Sequence, residues 1–201
     1  MGRGPRYKVP RRRRREGRTN YYRRYRMLIS GKKIRAVVRK TSNQIIAQII
    51  EFAPHGDLTH VGVSSKALRK FGWKGDLNNT PAAYLTGLLA GLKAKGKGIT
   101  YAIPDIGLHE PTKGCRIFAA IKGLRDAGVE VPASEEVLPG EDRVTGKHIA
   151  EYAKKLKEEN PEEYRRRFGK MIERGLEPES LPEHFLHIRD TIIGYFKGGE
   201  G

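Results

Sequence analysis

The feature that most constrains this chain is where its charge lies. Residues 1–40 carry 17 basic side chains and a single acid, Glu16, whereas the remaining 161 of the 201 residues carry 23 basic and 22 acidic side chains. The net charge of +17 therefore sits almost wholly in the first fifth of the chain, and the rest is close to neutral. A segment so charged and so poor in apolar residues cannot build a core. Whatever folds must be drawn from the residues after it. The segregation argues against an enzyme with a diffusely basic surface and points to a partner that is a dense polyanion.

Three zones follow. Residues 1–32 form a basic, turn-rich arm, expected to be extended or only locally helical when free. Residues 33–131 have the periodicities of an α/β domain. Ile34, Ala36 and Val38 alternate with Lys33, Arg35, Val37 and Arg39, which reads as a half-buried strand with a basic outer face. After a turn at Thr41-Ser42, Gln44 to Phe52 reads as a second strand, and Leu58 to Val63 as a third beyond Pro54-His55-Gly56-Asp57. Short connections imply an antiparallel meander. Ser65 to Phe71 is a short helix candidate. Thr80-Pro81 predicts a helix start, with a capping hydroxyl before a first-turn proline, and Tyr84, Leu85, Leu88, Leu89 and Leu92 fall on one stripe. Ile99 to Ile103 reads as a strand closed by Pro104. A loop from Asp105 to Lys113 precedes a helix with Ile117, Ile121 and Leu124 on one face, stopped at Gly128. The order βββαβα predicts an α/β fold: a mixed sheet with helices packed on it, plus an extended basic N-terminal arm and a C-terminal helical extension.

That extension, residues 132–201, opens with a polar loop and predicts three amphipathic helices. Their stripes are Ile149, Tyr152, Ala153 and Leu156; Tyr164, Phe168, Met171 and Ile172; and Phe185, Ile188 and Ile192 behind a capping box at Ser180-Leu181-Pro182-Glu183. The zone leans acidic, so a second polyanion surface is not expected there.

The arm has a specific chemistry. Its cations are Arg3, Arg6, Lys8, Arg11, Arg12, Arg13, Arg14, Arg15, Arg18, Arg23, Arg24 and Arg26, so arginine outnumbers lysine 11 to one over residues 1–26. A guanidinium forks onto phosphate and stacks on bases, where an ammonium is mainly a point charge. Tyr7, Tyr21, Tyr22 and Tyr25 are interleaved. Aromatic faces beside arginine suit the unstacked bases of folded RNA. Duplex DNA would call for a groove-reading element, and no helix-turn-helix or zinc-finger spacing is present. The bland alternative is a solvated charge run or a localisation signal. If half the arm's cations met phosphate, log K would fall against log salt with a slope of about −5 to −7. Arg35 and Arg39, and Trp73 and Lys74 in the loop after Phe71, extend the candidate RNA surface. Trp73 fits either a stacking platform or a local core plug.

Long motifs then carry a resemblance. The stretches GPRYKVPRRRRREGRTNYYRRYRML, FGWKGDLNNTPAAYLTGLLAGL and DIGLHEPTKGCRIFAAIKGLRDAGVEVP, with GKHIAEY and LPEHF further on, closely resemble the L-eighteen family of large-subunit ribosomal proteins. The match is to its archaeal form, similar to the eukaryotic L-five protein, and spans nearly the whole chain. The resemblance implies a non-catalytic protein of the cytoplasmic ribosome that binds 5S rRNA and helps anchor it, with the large-subunit rRNA, in the central protuberance, among neighbouring large-subunit proteins. It places RNA contacts mainly on the arm, Arg3 through Arg26. Others fall near the loop before the last domain helix, where Lys113, Gly114 and Arg116 match.

Other chemistry is weaker. Cys115 alone gives no intrachain disulfide and no thiolate cluster; it reads as a small buried residue at a helix start. Gly91 to Gly98 nearly spells a phosphate-binding loop, but Gly98 replaces the required hydroxyl and the segment ends a helix. Gly87 and Gly91 are expected to pack closely against the sheet. His184 and His187 lack further ligands, so neither metal nor cofactor is expected. A nuclease would need converging carboxylates, for which Glu51, Asp57 and Asp105 are the candidates. A membrane-binding arm would need an apolar face that is absent. The longest apolar run, Ala82 to Leu92, is too short to span a bilayer. No membrane partner and no small-molecule substrate are expected.

Overall fold

A computed structural model describes residues 4–5, 7–31, 33–53 and 55–198. Arg3 and Arg6 lie outside the described residues. The arm contains a short helix α1 (Arg12–Arg15) and a longer one, α2 (Tyr21–Ile29). Asn20 caps α2, its side chain accepting from the Arg23 N–H at 3.0 Å.

The sheet follows. β1 (Ile34–Lys40) and β2 (Ile45–Glu51) pair antiparallel through a tight turn in which Thr41 N–H donates to Gln44. β3 (Leu58–Ser64) pairs antiparallel with β2. Ser64 then caps a 3₁₀ turn over Ser65–Phe71. Helix α3 (Thr80–Lys95) crosses to β4 (Ile103–Asp105), which runs parallel to β1 with Arg35 opposite Ile103. The strand order is β3-β2-β1-β4. This is the mixed sheet that the βββαβα order calls for. β4 is shorter than its apolar pattern predicts and starts later. Pro104 lies inside it, which an edge position allows because no ladder donor is needed there.

Helix α4 (Arg116–Asp126) lies beside α3. Thirteen of the 16 residues of α3 are buried, on all sides and not on one stripe. It is packed between the sheet and α4. Its cap is Asn79, not Thr80: the Asn79 side chain accepts from Ala82 N–H at 2.9 Å. Gly87 and Gly91 meet α4 and not the sheet. A methyl group at Gly87 would fall on the Ala120 carbonyl, and one at Gly123 of α4 on the Tyr84 carbonyl. Small residues on both helices let the two backbones touch.

The C-terminal zone forms α5 (Glu141–Thr145), α6 (Lys147–Glu159), α7 (Pro161–Ile172) and α8 (Leu181–Lys197). The main core runs on into it through Val144, Met171, Leu181, Phe185, Ile188 and Ile192. Ala153, Leu156 and Tyr164 form a second, small cluster with Phe168 against it. Tyr152 and Ile172, expected within their stripes, are 42% and 40% exposed. The capping box at Ser180 does not form. A 3₁₀ turn over Pro178–Ser180 precedes α8, and the Ser180 hydroxyl turns back to donate to the Glu177 carbonyl at 2.9 Å.

Candidate nucleic-acid interface

Among the described residues, the arm's cations other than Arg24 stand in solvent. Arg11 to Arg15 and Arg18 are all exposed, and α1 buries nothing. Glu16, the arm's single acid, is taken up locally, 2.9 Å from Arg18 and 3.6 Å from Arg12. Exposed pairs of this kind are worth about 0–1 kcal/mol, so these guanidinium groups remain available to a stronger anion. Arg13 Nε donates to the Thr19 hydroxyl at 3.1 Å, tying α1 to the start of α2.

α2 has two faces. Arg24, Met27 and Leu28, at helical spacing, are half-buried and turn toward the sheet. Tyr21, Tyr22, Arg23, Tyr25 and Arg26 are exposed. Tyr22 and Tyr25 are 68% and 61% exposed, unusual for large aromatic side chains. The Arg26 guanidinium lies over the Tyr22 ring at 5.4 Å, a cation–π contact that stiffens both. The outward face thus mixes flat aromatic surfaces with phosphate-binding forks, the combination that unstacked nucleotides need.

Between arm and sheet runs a groove of about 780 Å³. Its floor is a row of alternating charges. Arg24 of α2 donates through Nη2 to both Asp57 carboxylate oxygens, at 3.2 and 3.0 Å. Asp57 also accepts from Arg35 at 2.6 Å. Arg35 reaches Asp105 at 2.9 Å, and Asp105 accepts from Arg39 at 2.8 Å. Arg39 also donates to the Asp105 carbonyl at 2.6 Å. Arg35 is only 4% exposed. His109 lines the same groove. Burial, then Lys40 and Arg39, hold its imidazole below the ordinary histidine value, so it adds no charge near neutral pH.

This corrects the basic outer face expected for β1. Arg35 and Arg39 are paired with carboxylates within the molecule, across the groove from α2, although the Arg39 side chain is still 36% exposed. Asp57 and Asp105, weighed above as nuclease carboxylates, hold arginines instead, and Glu51 faces His60 at 2.8 Å. The sequence carries one signal of this: an arginine among Ile34, Ala36, Val37 and Val38 needs an acid to be buried at all.

Trp73 is a core plug, 1% exposed, with its indole N–H donating to the Asp76 carbonyl at 3.0 Å and His184 stacked on it at 5.2 Å. Gly75 sits against the indole where a Cβ would come within 2.6 Å of the ring. Lys74 is exposed, and its Nζ lies 3.4 Å from the Gly175 carbonyl. Lys113 pairs with Glu136 at 3.2 Å, both well exposed. The Gly114 N–H donates to the Val137 carbonyl, and the half-buried Arg116 donates to the Asn78 carbonyl at 2.7 Å. The structure thus keeps the loop candidates apart from one another by role: Lys113 and Lys74 in solvent, Arg116 and Trp73 in packing.

Comparison with known proteins agrees over nearly the whole length. A family model described as ribosomal large subunit proteins 60S L5 and 50S L18 matches residues 5–98. The large ribosomal subunit protein uL18 of Ignicoccus hospitalis is 59% identical over 198 residues, 98% of this chain and 96% of its own length. Those of Staphylothermus marinus and Aeropyrum pernix are 56% and 54% identical, each over 98% of this chain and over 98% and 92% of their own lengths. With such identity end to end, the chain belongs to the uL18 family of large ribosomal subunit proteins, structural constituents of that subunit and not enzymes.

Proposed function

We propose that this protein binds 5S rRNA and helps to anchor it, with the large rRNA, in the central protuberance of the cytoplasmic ribosome's large subunit. The observation that supports this best is the arm: exposed arginines and tyrosines on a segment with one acid, laid against a neutral body. In this reading Lys8, Arg11 to Arg15 and Arg18 meet phosphates. Tyr21, Tyr22, Arg23 and Arg26 meet unstacked bases or the sugar–phosphate chain. Arg3, Arg6 and Tyr7 belong to the same proposed RNA-binding set. Lys113 adds a cation in the loop before α4, and Lys74 another in the loop after the 3₁₀ turn. Trp73 and Arg35 act from inside the fold, and Arg39 from the groove wall.

The division of labour follows the three zones. Residues 1–32 grip RNA, residues 33–131 present the arm, and the acidic-leaning residues 132–201 face neighbouring large-subunit proteins. The test is direct binding of 5S rRNA to the full chain and to a chain lacking residues 1–26. The truncation is expected to bind about 10³-fold more weakly or worse, with a flatter salt dependence, while its melting remains cooperative. Near-full affinity of the truncated chain at about 0.2 M salt would overturn the reading.

A further inference from the structure

The arm reaches the body through a carboxylate. No side chain of α2 is fully buried, and a helix of nine residues is marginal when left to itself. Burial therefore contributes little to holding it. What meets Arg24 is Asp57, whose two oxygens take one guanidinium nitrogen at 3.2 and 3.0 Å. Asp57 is itself fixed from behind. Arg35 holds it at 2.6 Å, and Arg35 is held in turn by Asp105 at 2.9 Å. Arg35 and Asp105 are 4% and 7% exposed, whereas the Asp57 side chain is 25% exposed. The row is thus rooted in the sheet and open at its arm end. Charge-assisted bonds of this kind are directional, so the carboxylate dictates which face of α2 turns inward. Tyr21, Tyr22 and Tyr25 are then turned away from the groove, with Arg26 at its rim over the Tyr22 ring.

We propose that Asp57 is a positioning residue for RNA recognition, pinning α2 to the sheet so that its aromatic and basic face is presented before RNA arrives. The proposal rests on the arm being the RNA site. It carries an inverted sign. A carboxylate beside a surface for a polyanion should weaken binding by repulsion, and removing it should help. If Asp57 instead holds the arm in its competent form, removing it leaves RNA to select a minor population, and apparent affinity falls by that fraction.

The test uses the full chain and 5S rRNA, with Asp57→Asn and Asp57→Glu. The Asp57→Asn variant is expected to bind about five- to tenfold more weakly. Its slope of log K against log salt should match the unchanged protein, because the same phosphates are met. Trypsin should cut the arm of the free variant faster. Asp57→Glu, which keeps an acceptor for Arg24, should recover affinity and protection together. Should Asp57→Asn lower the melting temperature of the body, Arg24→Gln frees the helix while leaving Arg35 paired with Asp57 and Asp105. The same loss of affinity and protection is then expected. Binding by Asp57→Asn as tight as the unchanged protein or tighter would overturn the proposal, as would a loss accompanied by a flatter slope. Failure of the underlying reading shows separately: a full chain with Arg11 to Arg15 all replaced by Ala would then bind as the unchanged protein does.

Discussion

Two sets of arginines, 20 residues apart in sequence, are put to opposite uses. Those of the arm, Arg11 to Arg15, lie in solvent with Glu16 as their nearest acid. Those of β1, Arg35 and Arg39, sit on the groove face of the sheet with Asp57 and Asp105 against them. The side chain is the same, though the arm packs five in a row where β1 spaces two among apolar residues. What differs is whether the fold brings a carboxylate to meet it. A guanidinium is free for RNA only where the backbone offers no internal anion, and that is decided by strand pairing many residues away. Net charge, read along the chain, counts both sets alike.

The sharpest way to break this contrast is to remove one arginine from each set. Arg35→Met should cost about 3–5 kcal/mol of stability, because Asp105 is left buried with one partner fewer. Arg13→Met should leave stability within about 0.5 kcal/mol and lower only RNA affinity. Denaturant melts and RNA titrations of the two variants read this directly, and equal losses of stability would erase the distinction. A smaller effect is expected at Trp73. Trp73→Leu removes ring volume from the core and orphans the Asp76 carbonyl, at about 2–3 kcal/mol. Its RNA affinity should stay within about twofold at a temperature where it is folded. Loss of affinity without loss of stability would make the indole a stacking platform after all. The smallest effect concerns pH. Burial, then His187 and Lys74, hold His184 below its ordinary value. The unfolded chain therefore takes up a proton that the folded one resists. Stability should decline as pH falls from about 6.5 toward the lower folded value. His184→Gln should flatten that decline, as read by melting temperature between about pH 7.5 and 5.

Much of the fold is legible because local rules and packing agree. The meander of β1, β2 and β3 follows from alternation and short turns, and the parallel placement of β4 follows from the helix before it. The misses fall where a distant neighbour decides. Asn79 displaces Thr80 as the cap because both can fill the role, and only the path of the entering chain selects one. Gly87 and Gly91 announce a close approach but not its partner, which is α4 with its own Gly123. Arg35 reads as exposed because alternation marks two faces without saying what covers the second. In the candidate site, composition reveals which residues an RNA would want. The inward turn of Arg24, and the acid that causes it, are properties of the tertiary arrangement alone.

Pro104 has one more consequence. It lies within β4, the outer strand on its side of the sheet, where an open row of N–H and C=O groups would invite the strand of another molecule. Proline has no N–H to offer, and β4 spans only three residues. The border is thereby closed to templated growth. Before any RNA is bound, the folded body thus offers a second copy little strand edge to extend on this side.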